Sequence, residues 1–488
     1  VNKPLRRVSI FCGLLVLALL VRINWVQFVM ADELQKDDRN RRVDIARYSQ
    51  PRGDIIVGSE AITGSTTTDS GDFKFKRTYK DGEMWAPVTG YASQVFGANQ
   101  LEKLNDQILT GDDDRLFFNR TIDMITGKEK KGGQVVTTLN RDAQLAAFQG
   151  LGDKKGAVAA IEPATGKILA LASTPSYDPS TIAGMSAEDG ENYQKLLKDP
   201  DKPMRNRALR ETYFPGSTFK VVTAAAALEH GLYSDIDAKT DSPLPWNLPT
   251  TSTELKNEGN IPCKDATLRD ALRVSCNTVF GKIGSDLGRE KMLETAEKFG
   301  FNNPEIDTPV RAGKSNFSTT MDKPQTALSA IGQFETAATP LQMAMVASAV
   351  ANDGKLMKPY MVDQLRAPNL NVVEQSSPEE MSRPLSSENA QKLQEMMETV
   401  VKPGGTGTAA QIPNVTVGGK TGTAQRGVNN SEKPYAWFIA YAKTADGSPV
   451  AVAVVVEDSQ ANRGDISGGG LAAPIAKSVM EAVISGKR

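Results

Sequence analysis

The stretch PGSTFKVVTAAAAL, Pro215 to Leu228, places a serine and a lysine three positions apart at the head of a run that is otherwise apolar or small. Residues three apart on a helix share a face, so the Lys220 amine can reach the Ser217 hydroxyl. The run from Val221 predicts a buried helix, and burial disfavours the charged form of Lys220. A neutral amine beside a hydroxyl is a base beside a nucleophile, and N–H groups at a helix start favour the oxyanion formed on attack. Taken alone, Ser-x-x-Lys is a common string whose default reading is a helix cap and a solvated lysine.

Outward from this stretch the pattern alternates between strands and helices. Val135 to Leu139 reads as a strand and Asp142 to Leu151 as a helix. Gly156 to Glu162 and Lys167 to Ser173 are two strands around the turn Pro163-Ala164-Thr165-Gly166. Ala-rich helices follow at Val221–Glu229 and Pro340–Ala351, the second stopped by Asn352-Asp353-Gly354. Near the C-terminus come strands at 415–420, 435–442 and 450–457, then a helix at 472–484. Sheet elements at both ends with helices between them imply an α/β sandwich whose two ends join one sheet.

Two further strings carry chemistry. Ser275-Cys276-Asn277 breaks two apolar segments; its hydroxyl suits proton transfer, and the Asn277 amide suits a peptide backbone, although an N-cap is the default reading. Gly418-Gly419-Lys420-Thr421-Gly422-Thr423-Ala424 ends the apolar strand 415–417. Gly422 leaves room for a substrate backbone against a strand edge, and Lys420, Thr421 and Thr423 offer a cation and hydroxyls to a carboxylate. A phosphate-binding loop is excluded, because Asn414 stands at its leading glycine position and no helix-forming run follows Thr421.

Lys plus Arg number 57 against 58 Asp plus Glu, so no global charge draws the chain to nucleic acid. His230, the sole histidine, follows an Ala-rich helix and reads as its C-terminal cap. Three cysteines make no disulfide framework; Cys263 and Cys276 either pair or stay two small apolar residues, and the sequence leaves both open. Lys3, Arg6 and Arg7 precede an apolar run, Val8 to Ala31, long enough to span a bilayer if Arg22 snorkels; a cleaved signal peptide is the competing reading. Either way the downstream chain is exported. Asp32 to Arg47 reads as a helix leaving the membrane, and Arg52-Gly53-Asp54 matches an adhesion tripeptide only weakly.

In the order Ser-x-x-Lys, Ser-x-Asn, Lys-Thr-Gly, these strings match the set used by penicillin-binding proteins and serine β-lactamases. With Arg52-Gly53, Asn206-Arg207-Ala208-Leu209, Thr339-Pro340-Leu341-Gln342 and Ala436-Trp437-Phe438, the chain resembles the class B penicillin-binding proteins over nearly its whole length, closest to the actinobacterial A type. The resemblance implies a central antiparallel sheet flanked by helices, an all-helical subdomain, a small N-terminal module and a transmembrane helix. It implies residues 1–31 as cytoplasmic tip and anchor, 32–133 as a dimerisation or pedestal module ending in the glycine- and lysine-rich 127–134, and 134–488 as the transpeptidase domain. The N-terminus would be cytoplasmic and the catalytic domain extracytoplasmic.

The activity implied is D,D-transpeptidation of peptidoglycan stem peptides without a cofactor, inhibited covalently by β-lactams. Ser217 would be acylated, Lys220 would act as base and Ser275 as proton relay. Asn277, Lys420, Thr421, Gly422 and Thr423 would bind substrate, with Ser217 and Thr423 N–H groups as oxyanion hole. A membrane glycan polymerase and division or elongation proteins would be partners, and nucleic acid would not. Two departures stand out: Gly332-Gln333-Phe334 replaces the usual Gly-Gln-Gly, and Val57-Gly58-Ser59-Glu60 replaces the usual continuation after the Arg-Gly motif. The rivals are a D,D-carboxypeptidase or β-lactamase, in which water resolves the acyl-enzyme, and a non-enzymatic β-lactam sensor or division scaffold.

Overall fold

The computed structural model describes residues 3–486 apart from 36, 38, 39, 69, 70, 117–125, 128, 129, 428, 429 and 459. Two residues of the expected boundary at 127–134 therefore lie outside the described residues. Lys3–Val29 forms one continuous apolar helix, its last turn a π-helix at Trp25–Val29, with mean hydropathy 2.1 and no buried residue. Among the described residues it is the one helix long and apolar enough to cross a membrane. Helices at Ala31–Gln35 and Arg41–Arg47 follow it.

The central sheet has five antiparallel strands: β1 (Lys155–Ile161), β2 (Ile168–Thr174), β3 (Thr416–Arg426), β4 (Glu432–Thr444) and β5 (Gly447–Asp458), in the spatial order β3-β4-β5-β1-β2. Both chain ends of the catalytic region thus enter one sheet. The period-2 alternation of strand side chains divides the core in two. Val450, Val452, Val454 and Val456 pack with helices Arg141–Leu151 and Ala473–Gly486, whereas Ala451, Ala453 and Val455 pack with helix Pro340–Ala351 and the helices beyond it. Because the strands are buried on both faces, they read as near-continuous apolar runs in the sequence.

β3 runs longer than the expected strand ending at Lys420: it continues through the whole Lys-Thr-Gly string, pairing Lys420 with Ile439 and Thr423 with Ala436. The motif therefore sits mid-strand. Pairing with the strongly apolar β4 overrides the low strand propensity of its glycines. β3 is also an edge strand, so one row of its backbone groups is left unpaired by the sheet.

A second sheet joins the N-terminal region to the rest. Ile55–Val57 pairs parallel with Gln134–Thr137, which pairs antiparallel with Val362–Arg366, and the Thr137 hydroxyl donates to the Ile56 carbonyl at 2.9 Å. The adhesion reading of Arg52-Gly53-Asp54 does not survive the structure. Arg52 is buried, donating to Glu102 and Asp106 at 2.6 Å each, while Arg77 donates to the other Glu102 oxygen at 2.6 Å. A side chain on Gly53 would fall 1.7 Å from the Gly133 carbonyl oxygen. Burying three charges requires pairing of this kind.

Candidate active site

Ser217 lies in a single 3-10 turn, Gly216–Phe219, which leads into helix Lys220–Glu229. The α-helix expected to carry Ser217 thus begins at Lys220. Residues i and i+3 eclipse in a 3-10 turn, so Ser217 and Lys220 still project to the same side. The turn is wedged in place from three directions. The Trp437 indole donates to the Phe214 carbonyl at 3.0 Å, and the Gly216 N–H donates to the Gly332 carbonyl at 3.0 Å. A Cβ on Gly332 would meet the Gly216 oxygen at 2.1 Å, and one on Gly422 would meet the Pro215 oxygen and Thr218 Cγ2 at 3.0 Å. Both positions need glycine for close approach, and together they press Ser217 against the Gly422–Ala424 segment of β3.

Phe334, in the altered Gly-Gln-Phe string, holds a left-handed backbone with φ +60° and leaves its ring exposed. The loop keeps the conformation that suits glycine, at a cost of about 1–2 kcal/mol.

Ser275 joins helix Leu268–Val274 to helix Asn277–Lys298 with φ +66° and ψ +47°, a conformation that a serine adopts only when its surroundings impose it. One constraint is a disulfide between the neighbouring Cys276 and Cys263, which resolves the pairing left open by the sequence. Another is Asn257, whose side-chain oxygen accepts from the N–H groups of Asn277 at 2.6 Å and Thr278 at 3.1 Å. The Asn277 amide nitrogen donates to the Lys256 carbonyl at 2.8 Å.

The two lysines meet at Ser275. Lys220 Nζ lies 2.8 Å from the Ser275 carbonyl, 3.1 Å from its hydroxyl and 2.7 Å from Asn277 Oδ1. Lys420 Nζ lies 2.9 Å from the same hydroxyl and 2.9 Å from the Thr421 carbonyl. Both lysines are wholly buried. Burial holds Lys220 well below the ordinary lysine range, and the Lys420 charge pushes the same way against a weaker pull from Glu258. Burial pushes Lys420 down to about 7, again against Glu258.

Lys220, Ser275, Asn277 and Lys420 are thus brought into one hydrogen-bonded group, and the turn that carries Ser217 packs against the Gly422–Ala424 segment. Ser217 Oγ makes no hydrogen bond among the described residues, and the Lys220 amine is engaged by Ser275 and Asn277. Thr421 alternates to the opposite face from Lys420, where its hydroxyl shares a 2.6 Å hydrogen bond with Thr406, and Thr423 is half-buried. Sequence reasoning missed Asn257, Glu258 and Thr406. Of these only Thr406 had a local signal, the glycine-rich Pro403-Gly404-Gly405-Thr406-Gly407.

Residues 156–481 match the penicillin-binding protein transpeptidase domain, and residues 52–135 match the penicillin-binding protein A dimerisation domain. The peptidoglycan D,D-transpeptidase PbpA of Mycobacterium tuberculosis is 40% identical over 100% of both chains, and its Mycolicibacterium smegmatis counterpart is 38% identical over 99% of both. The structure of M. tuberculosis penicillin-binding protein A as a ceftriaxone acyl-enzyme superimposes with a TM-score of 0.85 at 39% identity, covering 90% of this chain and all of that one.

Proposed function

This chain belongs to the penicillin-binding protein transpeptidase family, and from that premise we propose that Ser217 is the residue on which it forms its acyl-enzyme. The reaction is peptidoglycan D,D-transpeptidation, and β-lactams act as covalent inhibitors of it. The observation that carries the residue assignment is the Ser275 hydroxyl held between two buried amines, one placed by the Ser217 turn and the other by β3.

Lys220, whose hold on a proton is weakened by burial and by the neighbouring Lys420 charge, takes the Ser217 proton as Oγ attacks the carbonyl of the terminal D-Ala-D-Ala bond. The oxyanion is received by the N–H groups of Ser217 and Thr423. As the C–N bond breaks, the proton passes from Lys220 through Ser275 to the departing D-alanine amine. Asn277 and the free edge of β3 align the peptide backbone, and Lys420 with Thr421 and Thr423 supplies the field for its carboxylate. An amine of a second stem then attacks the ester. As the ester C–O bond breaks, one proton of the neutral amine passes through Lys220 to Ser217 Oγ, which closes the cycle.

Residues 1–31 serve as cytoplasmic tip and membrane anchor with the catalytic domain outside, 32–133 as a pedestal or dimerisation module, and 134–488 as the transpeptidase domain. A membrane glycan polymerase and division or elongation proteins would supply and organise the strands being joined.

Intact-mass measurement after incubation with benzylpenicillin tests the assignment. The full chain is expected to gain the mass of one drug molecule, and Ser217→Ala to gain none. An adduct retained in that variant would move the nucleophile elsewhere.

A further inference from the structure

Lys256, Asn257 and Glu258 form a short segment laid over the Ser-x-Asn string. The Lys256 carbonyl and the Asn257 side chain hold Asn277 and Thr278 through three hydrogen bonds of 2.6–3.1 Å, which carries the next residue alongside the Ser-x-Asn string. That residue, Glu258, is exposed and makes no hydrogen bond or ion pair among the described residues. Its charge acts on both Lys220 and Lys420, and among the described residues no other carboxylate acts on either. Lys420, pushed down only to about 7, still carries charge that repels an incoming cation, yet transfer requires an amine to enter. An amine that arrives in water near neutral pH arrives as an ammonium ion.

We propose that Glu258 is the acceptor-binding group, its carboxylate receiving the incoming amine of the second stem as an ammonium ion at the cleft mouth. The inference rests on the acyl-transfer reading of Ser217. The ammonium loses one proton to solvent as it leaves the carboxylate. The neutral amine attacks the Ser217 ester, forming the N–C bond. Its second proton crosses through Lys220 to Ser217 Oγ as the ester C–O bond breaks, leaving an amide and a free hydroxyl.

The test uses the full chain in detergent with a D-alanyl thioester donor, water and D-alaninamide competing for the acyl-enzyme, and the amide-to-acid product ratio as readout. Glu258→Gln is expected to raise the D-alaninamide concentration for half-maximal aminolysis about five-fold, as loss of a near-surface charge pair would. Acylation by benzylpenicillin, which involves no acceptor, should move less than about two-fold by the same scale. Glu258→Asp should recover most of the acceptor affinity. An unchanged half-maximal concentration, an equal fall in acylation, or a wild-type enzyme whose aminolysis does not saturate with D-alaninamide would each overturn the proposal. Failure of the Ser217 assignment would appear separately, as the absence of the benzylpenicillin adduct.

Discussion

Arg52 and Arg77 in the N-terminal module and Lys220 and Lys420 in the cleft are all buried cations, but only the arginines have carboxylates bonded to them. Burial alone would push the Glu102 carboxyl up, and Arg77 and Arg52 together outweigh it and hold it below the usual range. That cluster stays charged and acts as a clamp. In the cleft the amines bond only to hydroxyl, amide and carbonyl oxygens, so only the weaker pull of Glu258 opposes desolvation and the amines release their protons easily. The same burial makes structure where the charges cancel and chemistry where they do not.

The sharpest way to break this contrast is Lys220→Met. Acylation by benzylpenicillin is expected to slow about 10³-fold, the scale of a lost general base. Its effect on stability should have the opposite sign. A lysine whose folded pKa is depressed carries its full penalty below that pKa and loses it as pH rises toward the unfolded value near 10.5. Thermal melts should therefore show the methionine variant more stable at pH 6, by about 1–3 kcal/mol, with the gain gone near pH 10.5. A uniform gain across pH would mean that folding does not shift the lysine's pKa.

Glu102→Gln tests the other side. It removes the carboxylate that the two guanidinium groups share, leaving Arg52 to Asp106 alone and Arg77 to Asp54 at 4.0 Å, and should destabilise the chain by about 3–5 kcal/mol in denaturant titration, with the acylation rate of the still-folded fraction preserved. A cost under about 1 kcal/mol would reduce the clamp to the weight of a surface ion pair.

Lys420→Met separates the two amines. Removing that neighbouring charge lets the Lys220 pKa rise, so the acid limb of the residual acylation rate should move to higher pH. A shift to lower pH would contradict the electrostatic coupling. The smallest expected effect lies outside both clusters: Phe334→Gly should stabilise the chain by about 1 kcal/mol by relieving its left-handed backbone, measured by urea unfolding.

Much of this was legible in the sequence because it was written locally. The apolar runs of β1, β2, β4 and β5 declare strands buried on both faces, and Pro340–Ala351 carries its own stop signal. The three strings in the cleft are each contiguous, so their residues could be named before their convergence was known. What stayed hidden depends on distant partners. The 3-10 turn at Ser217 depends on contacts with Gly332, Trp437 and Gly422, between 115 and 220 positions away, and the left-handed Ser275 on a disulfide and an asparagine cap. Asn257 and Glu258 lie in a loop with no periodicity, and their relation to the cleft exists only in three dimensions.

The sheet in which Ile55–Val57 and Val362–Arg366 flank Gln134–Thr137 has a practical consequence for dissecting the molecule. Severing the chain at 133 would not free a self-contained catalytic piece. It would strip one flank of Gln134–Thr137 and expose a row of backbone donors and acceptors that invites self-association. A cut between the apolar helix Lys3–Val29 and Arg52 spares that seam, so it is the place to part the exposed apolar helix from the folded remainder.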